Sequence, residues 1–88
     1  MKKLVTIEET NQTPLESLMG KKVTFFCLNY IYTGKLIGIN GTAVLLEDPA
    51  IVFETGKFTD SSYKDVQPMN VKEFFIGLSC IESFGVLK

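Results

Sequence analysis

The sequence predicts a small, mainly β domain, and two observations carry this prediction. Residues 23–47 alternate between short apolar runs and turn residues, as three consecutive strands do. Asn40-Gly41 separates two of these runs and favours a type I′ hairpin turn, whose central residues both have positive φ. Gly34 and Gly38 indicate that the second strand bends where another backbone passes close. We therefore expect a bent β-meander.

A short helix is predicted in front of this meander. Residues 13–16, T-P-L-E, have the pattern of a capping box with proline at the first helical position, and Gly20 lies where the helix would end. Its apolar residues form one stripe: Leu15, Leu18 and Met19. Because a helix of about two turns is unstable alone in water, we expect the stripe to pack on the sheet. Lys21 and Lys22 suit the C-terminal end of such a helix without any ligand.

The second half of the chain adds further β-structure around a polar loop. Residues 50–55 follow a Pro-containing turn, either as a new strand or as the continuation of the third strand past a bulge. Residues 56–68 are polar and lack periodicity, which predicts a long exposed loop. Residues 71–78 and 81–87 are the two final strands. This organisation predicts one domain over residues 13–88.

Residues 1–12 are interpreted as a polar N-terminal extension. Its β-like patch at residues 4–7 either adds a strand at an edge or stays mobile. The apolar stretch after Met1 is too short for the core of a signal peptide, and no run approaches the roughly 18 apolar residues of a membrane helix. We therefore expect a cytoplasmic protein without a membrane partner.

Composition narrows the functional classes. Nine basic and ten acidic residues give a net charge of -1, so no global field attracts nucleic acid or an anionic membrane. The apolar share of 45%, with seven Phe, indicates either subunit contacts or an ordinary rich core. The chain has no His, and therefore lacks the usual general base and the commonest metal ligand. We expect no enzyme, no catalytic residue, no metal site and no cofactor.

The two cysteines are interpreted as buried free thiols. Cys27 and Cys80 stand far apart in the chain, each within an apolar run, and show no paired spacing. The carboxylates Glu47, Asp48 and Glu54 are close in sequence, but turn geometry and solvation explain them better than acid–base catalysis.

A short helix followed by five bent strands resembles the Sm-like family, which includes the bacterial RNA chaperone Hfq. Residues 34–36, G-K-L, followed by residues 46–48, L-E-D, look like the first family signature, and residues 15–23 echo its entry pattern. The resemblance implies a strongly bent five-stranded antiparallel open barrel. It also implies homo-oligomeric rings of about five to eight subunits, closed by edge-to-edge strand pairing.

The chain departs from the family where RNA is usually bound. Residues 41–43, G-T-A, stand where the family carries a base-stacking side chain and an Asn, and residues 75–77, F-I-G, replace the second signature. Any single-stranded RNA would then be held by aromatic faces beside Lys elsewhere. The candidate RNA-binding residues are Tyr30, Tyr32, Lys35, Lys57, Tyr63 and Lys64.

Each of these groups also has a structural interpretation. Cross-strand aromatic packing explains the first three residues, and a solvated loop explains the last three. The candidate subunit-interface residues come from the two final strands: Phe74, Phe75, Ile76, Leu78, Ile81 and Phe84. Two hypotheses follow, an RNA-binding ring that uses a non-standard surface and a ring that serves as a structural or protein-interaction module.

Overall fold

Six antiparallel strands in one open sheet form the architecture, seen in a computed structural model that describes residues 12–88. The elements are a 3₁₀ turn (Glu16–Leu18), β1 (Lys22–Cys27), β2 (Ile31–Ile39), β3 (Ala43–Glu54), β4 (Asp65–Pro68), β5 (Phe74–Gly77), a second 3₁₀ turn (Leu78–Cys80) and β6 (Ile81–Gly85). The mainly β prediction is confirmed, but the described residues form six strands in an open sheet where five were expected. The strand predicted at residues 4–7 lies outside the described residues.

The sheet follows the order β4-β3-β2-β1-β6, and β5 joins it along β3. The twelve residues of β3 serve two neighbours, because residues 43–46 pair with β5 and residues 50–54 pair with β4. On the opposite side, β6 returns to pair with β1. β5 and β6 therefore lie at different edges of the sheet. Within residues 12–88, no helix is long and apolar enough to cross a membrane.

The predicted two-turn helix is wrong, since residues 16–18 form only a single 3₁₀ turn. The capping contacts do form: the Glu16 N–H donates to Thr13 Oγ1 at 3.2 Å, and Thr13 Oγ1 donates to Glu16 Oε1 at 3.1 Å. The chain then leaves the helix because Gly20, at φ 85°, donates its N–H to the Leu36 carbonyl of β2 at 2.7 Å. Hydrogen bonds to the sheet thus replace a second helical turn.

The bend of the meander comes from two bulges between β2 and β3. Gly34 lies opposite both Asp48 and Pro49, and Asp48 adopts the left-handed region at φ 52°. A second extra residue, Ile37, lies on β2. A Cβ at Gly34 would be 3.1 Å from Leu46 Cβ, so the predicted close backbone approach is confirmed. Residues 50–54 continue β3 past the bulge.

The hairpin between β2 and β3 forms as predicted, but its type I′ turn is wrong. The positive-φ residues in the described part of the chain are Gly20, Asp48 and Gly56, so the turn at residues 40–42 is not left-handed. The Asn40 carboxamide closes it instead, because its Oδ1 accepts the N–H groups of Thr42 and Ala43, each at 2.8 Å. This side chain supplies the turn geometry that a pair of positive φ angles would otherwise give.

The loop predicted at residues 56–68 is wrong at its C-terminal end. Residues 65–68 form β4 and pair with the second half of β3, with Val66 opposite Val52. Tertiary pairing creates this strand, since the segment shows no alternation of its own. β4 ends at Pro68. Proline has no backbone N–H, and its absence is tolerated because β4 is an edge strand.

The core lies on the concave side of the bent sheet. Leu15, which directly precedes the first 3₁₀ turn, is buried in this core. Met19 of the predicted stripe is exposed. The other buried members come from β1, β2, β3 and β5: Val23, Phe25, Leu36, Val44, Leu46 and Ile76. Cys27, Tyr32, Phe74, Cys80 and Phe84 are among the half-buried residues that pack around this cluster.

Candidate functional site

The first group of predicted RNA-binding residues does not share one surface. Tyr32 is half-buried and packs on the core, with its ring 5.1 Å from Phe74 and 6.1 Å from the exposed Tyr30. Lys35 is exposed and three residues further along β2, so it lies on the opposite face of the sheet. The cross-strand packing interpretation therefore describes Tyr32, and only Tyr30 offers an open ring.

The second group is partly occupied by contacts within the fold. The Tyr63 hydroxyl donates to Thr24 Oγ1 at 2.7 Å, and Lys64 Nζ lies 3.5 Å from Glu54 Oε1 in an exposed ion pair. Lys57 is exposed beside Phe58, which is 85% exposed. Phe58 and Tyr63 contribute to a largely apolar cleft of about 160 Å³, which the C-terminal residues Val86 and Leu87 also line.

Two lysines lie opposite one another on the outer face of the sheet: Lys22, which was predicted at a helix end, and Lys35, a candidate RNA-binding residue. Lys22 of β1 is the direct cross-strand partner of Lys35 of β2, and both side chains are exposed. Like charges directly opposite one another destabilise a sheet. In residues 12–88 the ion pair that forms is Lys64–Glu54, so no carboxylate of this part of the chain lies within ion-pair distance of Lys22 or Lys35. Glu47, the partner of Lys35 on β3, moderates the local charge.

The candidate interface residues divide between the core and the sheet edges. Ile76 is 3% exposed, whereas Phe75 of the same strand is 61% exposed, as the alternation of side chains along a strand requires. The remaining members are half-buried: Phe74, Leu78, Ile81 and Phe84. β5 pairs only with β3, and β6 pairs only with β1, so within the described part of the chain each strand has one open side.

The alternation of hydrogen-bonded and non-hydrogen-bonded pairs along the β3–β5 ladder shows which backbone groups of β5 point away from β3. The Leu78 N–H donates to the Thr42 carbonyl at 2.8 Å, which makes Ala43 and Gly77 a non-hydrogen-bonded pair. By alternation along the antiparallel ladder, Phe75 and Gly77 direct their N–H and C=O groups away from β3. These groups line the open edge of the sheet.

The two cysteines, distant in sequence, meet at the junction of β1 and the second 3₁₀ turn. Cys27 is in register with Ile81, and the Leu28 N–H donates to the Cys80 carbonyl at 3.2 Å. Burial raises the pKa of Cys27 to about 11, and the neighbouring Cys80 thiol contributes to the same shift. Burial also raises the pKa of Tyr32, with smaller contributions from Cys27, Tyr30 and Cys80. Sequence spacing alone contains no signal for this meeting.

Among residues 12–88, no group of three or more Cys, Asp, Glu or His side chains lies close enough together to hold a metal ion. No family model, no curated protein and no solved structure matches this chain.

Proposed function

We propose that this chain is a divergent Sm-like protein whose subunits assemble edge to edge into a closed ring that serves as a structural or protein-interaction module. The observation that carries the proposal is that, among residues 12–88, β5 and β6 each have one open side, at different edges of one bent sheet. β5 has four residues and β6 has five. Because their lengths are similar, β5 of one subunit can pair with β6 of the next over most of both strands.

The edge of β5 combines two features that favour association. The backbone groups of Phe75 and Gly77 point away from β3, and the Phe75 side chain is 61% exposed. The Gly77 carbonyl already accepts a hydrogen bond from Cys80 Sγ at 3.1 Å. The outward N–H groups of Phe75 and Gly77 and the Phe75 carbonyl, next to an exposed aromatic ring, are a template for the addition of another strand. Pairing with β6 of a second copy satisfies the backbone groups and covers apolar surface.

The geometry of the two edges determines the kind of assembly. The contact joins two different surfaces, the edge of β5 on one subunit and the edge of β6 on the next, so it is heterologous. Each subunit can therefore bind one neighbour through each edge. A heterologous contact closes into a ring when its rotation is an integral fraction of a turn. The bend imposed by the bulges at Gly34 and Ile37 supplies curvature for such closure.

Gly77 allows a sharp test of edge pairing. Its φ of -65° and ψ of 133° suit proline, a Cβ there would meet nothing within 4 Å, and its N–H points to the open edge. Gly77→Pro therefore removes one edge donor without disturbing the subunit. Gly77→Ala keeps the donor and is the matched control.

The measurement is the mass of the wild type and both variants by sedimentation, together with thermal unfolding of each. We expect oligomers of the wild type and Gly77→Ala, and monomers of Gly77→Pro that are folded and unfold in one cooperative transition, with a midpoint lowered by the loss of assembly. A wild type that is monomeric at micromolar concentration contradicts ring formation. A Gly77→Pro variant that keeps the oligomeric mass contradicts pairing through β5.

RNA binding is the second candidate function, and the Lys22–Lys35 pair is the observation that favours it. Two exposed lysines placed opposite each other can both reach phosphate oxygens of one strand. The described residues that line the groove next to Lys22 are Thr24, Thr33, Val86 and Leu87, and none of these is aromatic. Binding at this pair would therefore use the charge of the phosphates and carry little base preference.

A further inference from the structure

We propose that Cys27 and Cys80 form a thiol modification site, in which a small disulfide oxidant such as oxidised glutathione converts the two thiols into an intramolecular disulfide. The inference does not depend on ring formation or RNA binding. The fold brings together two cysteines that stand far apart in the chain, and both are free thiols in the structure.

The backbone geometry supports closure of this bond. Cys27 lies opposite Ile81 in the β1–β6 ladder, and Cys80 directly precedes Ile81. Because Cys80 belongs to the 3₁₀ turn at residues 78–80, strand alternation does not send its side chain to the other face of the sheet. The 3.2 Å hydrogen bond from the Leu28 N–H to the Cys80 carbonyl fixes the two backbones at the spacing of paired strands. Both side chains pack against the same core cluster, so they converge on one side of the sheet.

The environment of each thiol assigns the order of the two steps. Cys27 is kept protonated at neutral pH because burial and the adjacent Cys80 raise its pKa to about 11. A thiol that is rarely ionised is a poor first nucleophile toward a dissolved oxidant. Cys80 lies in the turn at residues 78–80, next to the exposed Gly77 and Ser79, where a dissolved disulfide can reach its sulfur. Its hydrogen bond to the Gly77 carbonyl, at 3.1 Å, breaks when the thiol ionises. Cys80 is therefore the first to react.

The chemistry balances with one oxidant molecule per chain. The Cys80 thiolate attacks one sulfur of the small disulfide, forms a mixed disulfide and releases one small thiol. The Cys27 thiolate then attacks the Cys80 sulfur, the protein disulfide forms, and a second small thiol leaves. Because this second step is intramolecular, proximity offsets the scarcity of the Cys27 thiolate. Two protein thiols are oxidised and one small disulfide is reduced.

The bond would tie β1 to the turn that separates β5 from β6. It would close a chain segment from residue 27 to residue 80, which contains β2, β3, β4 and β5. Restricting so long a segment in the unfolded state stabilises the folded domain, and we expect the melting midpoint to rise by roughly 10 °C or more.

The test treats the full chain with oxidised glutathione at pH 8 and follows free thiols, intact mass and a digest by a lysine-specific protease without reductant. Cleavage at Lys22, Lys35 and Lys72 releases peptide 23–35 with Cys27 and peptide 73–88 with Cys80. We expect the two peptides to be recovered linked from a covalent monomer, with loss of both free thiols. Reductant should separate them and lower the melting midpoint again.

Single variants test the order of reaction. Cys27→Ser should stop at a glutathione adduct on Cys80, whereas Cys80→Ser should leave Cys27 largely unmodified over the same time. Adducts on both cysteines of the wild type without a link between the peptides would overturn the proposal. The same linked peptides recovered only from a covalent dimer would also overturn it. The wild-type measurement decides the question even where a variant folds poorly.

Discussion

The Tyr63 hydroxyl donates a 2.7 Å hydrogen bond to the hydroxyl of Thr24, 39 residues earlier in the chain. Thr24 lies on the outer face of β1 and is 4% exposed. Tyr63, from the loop between β3 and β4, gives this buried hydroxyl a hydrogen-bond partner. A tyrosine that the sequence offered as a base-stacking candidate thus has a structural role in the fold. It also explains how both faces of β1 are protected from water.

Tyr63→Phe is expected to lower the free energy of unfolding by about 1–2 kcal/mol, because it leaves the buried Thr24 hydroxyl without this partner. Chemical denaturation of both proteins measures the change. Tyr30→Phe is the matched control, since Tyr30 is 55% exposed, and should change stability by less than about 0.5 kcal/mol. Equal stabilities of the wild type and Tyr63→Phe would contradict the structural role.

Gly34→Ala is expected to destabilise the fold by about 1–3 kcal/mol, because overpacking at a buried site forces side chains and backbone to shift. The new methyl would lie 3.1 Å from Leu46 Cβ and 3.3 Å from the Glu47 carbonyl oxygen. Gly41→Ala is the control, with nothing within 4 Å of its added Cβ. Similar denaturation midpoints for the two variants would contradict the close approach of β2 and β3.

The main features of the fold were predictable from local patterns. The meander, the Asn40 hairpin and the two final strands, though shorter than predicted, follow from turn residues and apolar runs that act over short distances. The bulge before residue 50 was one of the two alternatives that these patterns left open. The alternation of Phe75 and Ile76 between solvent and core was equally legible. These features depend on interactions between near neighbours in sequence.

The features that sequence patterns missed depend on tertiary contacts. The hydrogen bond from Gly20 to Leu36 ends the predicted helix early, and pairing with β3 turns residues 65–68 into a strand. The candidate sites show the same limit. Register brings Lys22 next to Lys35 and Cys27 next to residue 81, and neither pairing can be read from spacing along the chain.

The folded protein is expected to lose stability as pH rises from 9 towards 11. The pKa of Cys27 rises from 9.0 to about 11 on folding, so in this interval the unfolded thiol ionises while the folded thiol stays protonated. The unfolded state then binds fewer protons, and the free energy of unfolding falls with increasing pH. Below pH 9 the thiol is protonated in both states and contributes no slope.

Cys27→Ser removes the titrating group while preserving much of the side-chain volume. Denaturation of wild type and variant at a series of pH values should show a shallower decline for the variant between pH 9 and 11. Tyr32, whose pKa burial also raises, should leave a residual decline above pH 10 in both proteins. Identical slopes in the wild type and Cys27→Ser would contradict the raised pKa of Cys27.

Any RNA affinity is expected to depend steeply on salt and weakly on sequence. Residues 41–43 contain no aromatic ring or side-chain amide to stack on or read a base, so phosphate attraction is the remaining term. Lys22→Ala or Lys35→Ala should each reduce the slope of log affinity against log salt by about 1. Fluorescence-anisotropy titrations with oligo-U and oligo-A at several salt concentrations measure both effects.

Lys64→Ala serves as the matched control for these titrations, because Lys64 already faces Glu54 at 3.5 Å and offers less free charge to a phosphate. We expect its salt slope to stay close to that of the wild type. Thr42→Tyr should also leave the affinity unchanged, because the turn at residues 40–42 takes no part in binding. Uridine-selective binding at physiological salt that disappears on enlarging Thr42 or Ala43 would instead locate the RNA site at this turn and contradict the role of the Lys22–Lys35 pair.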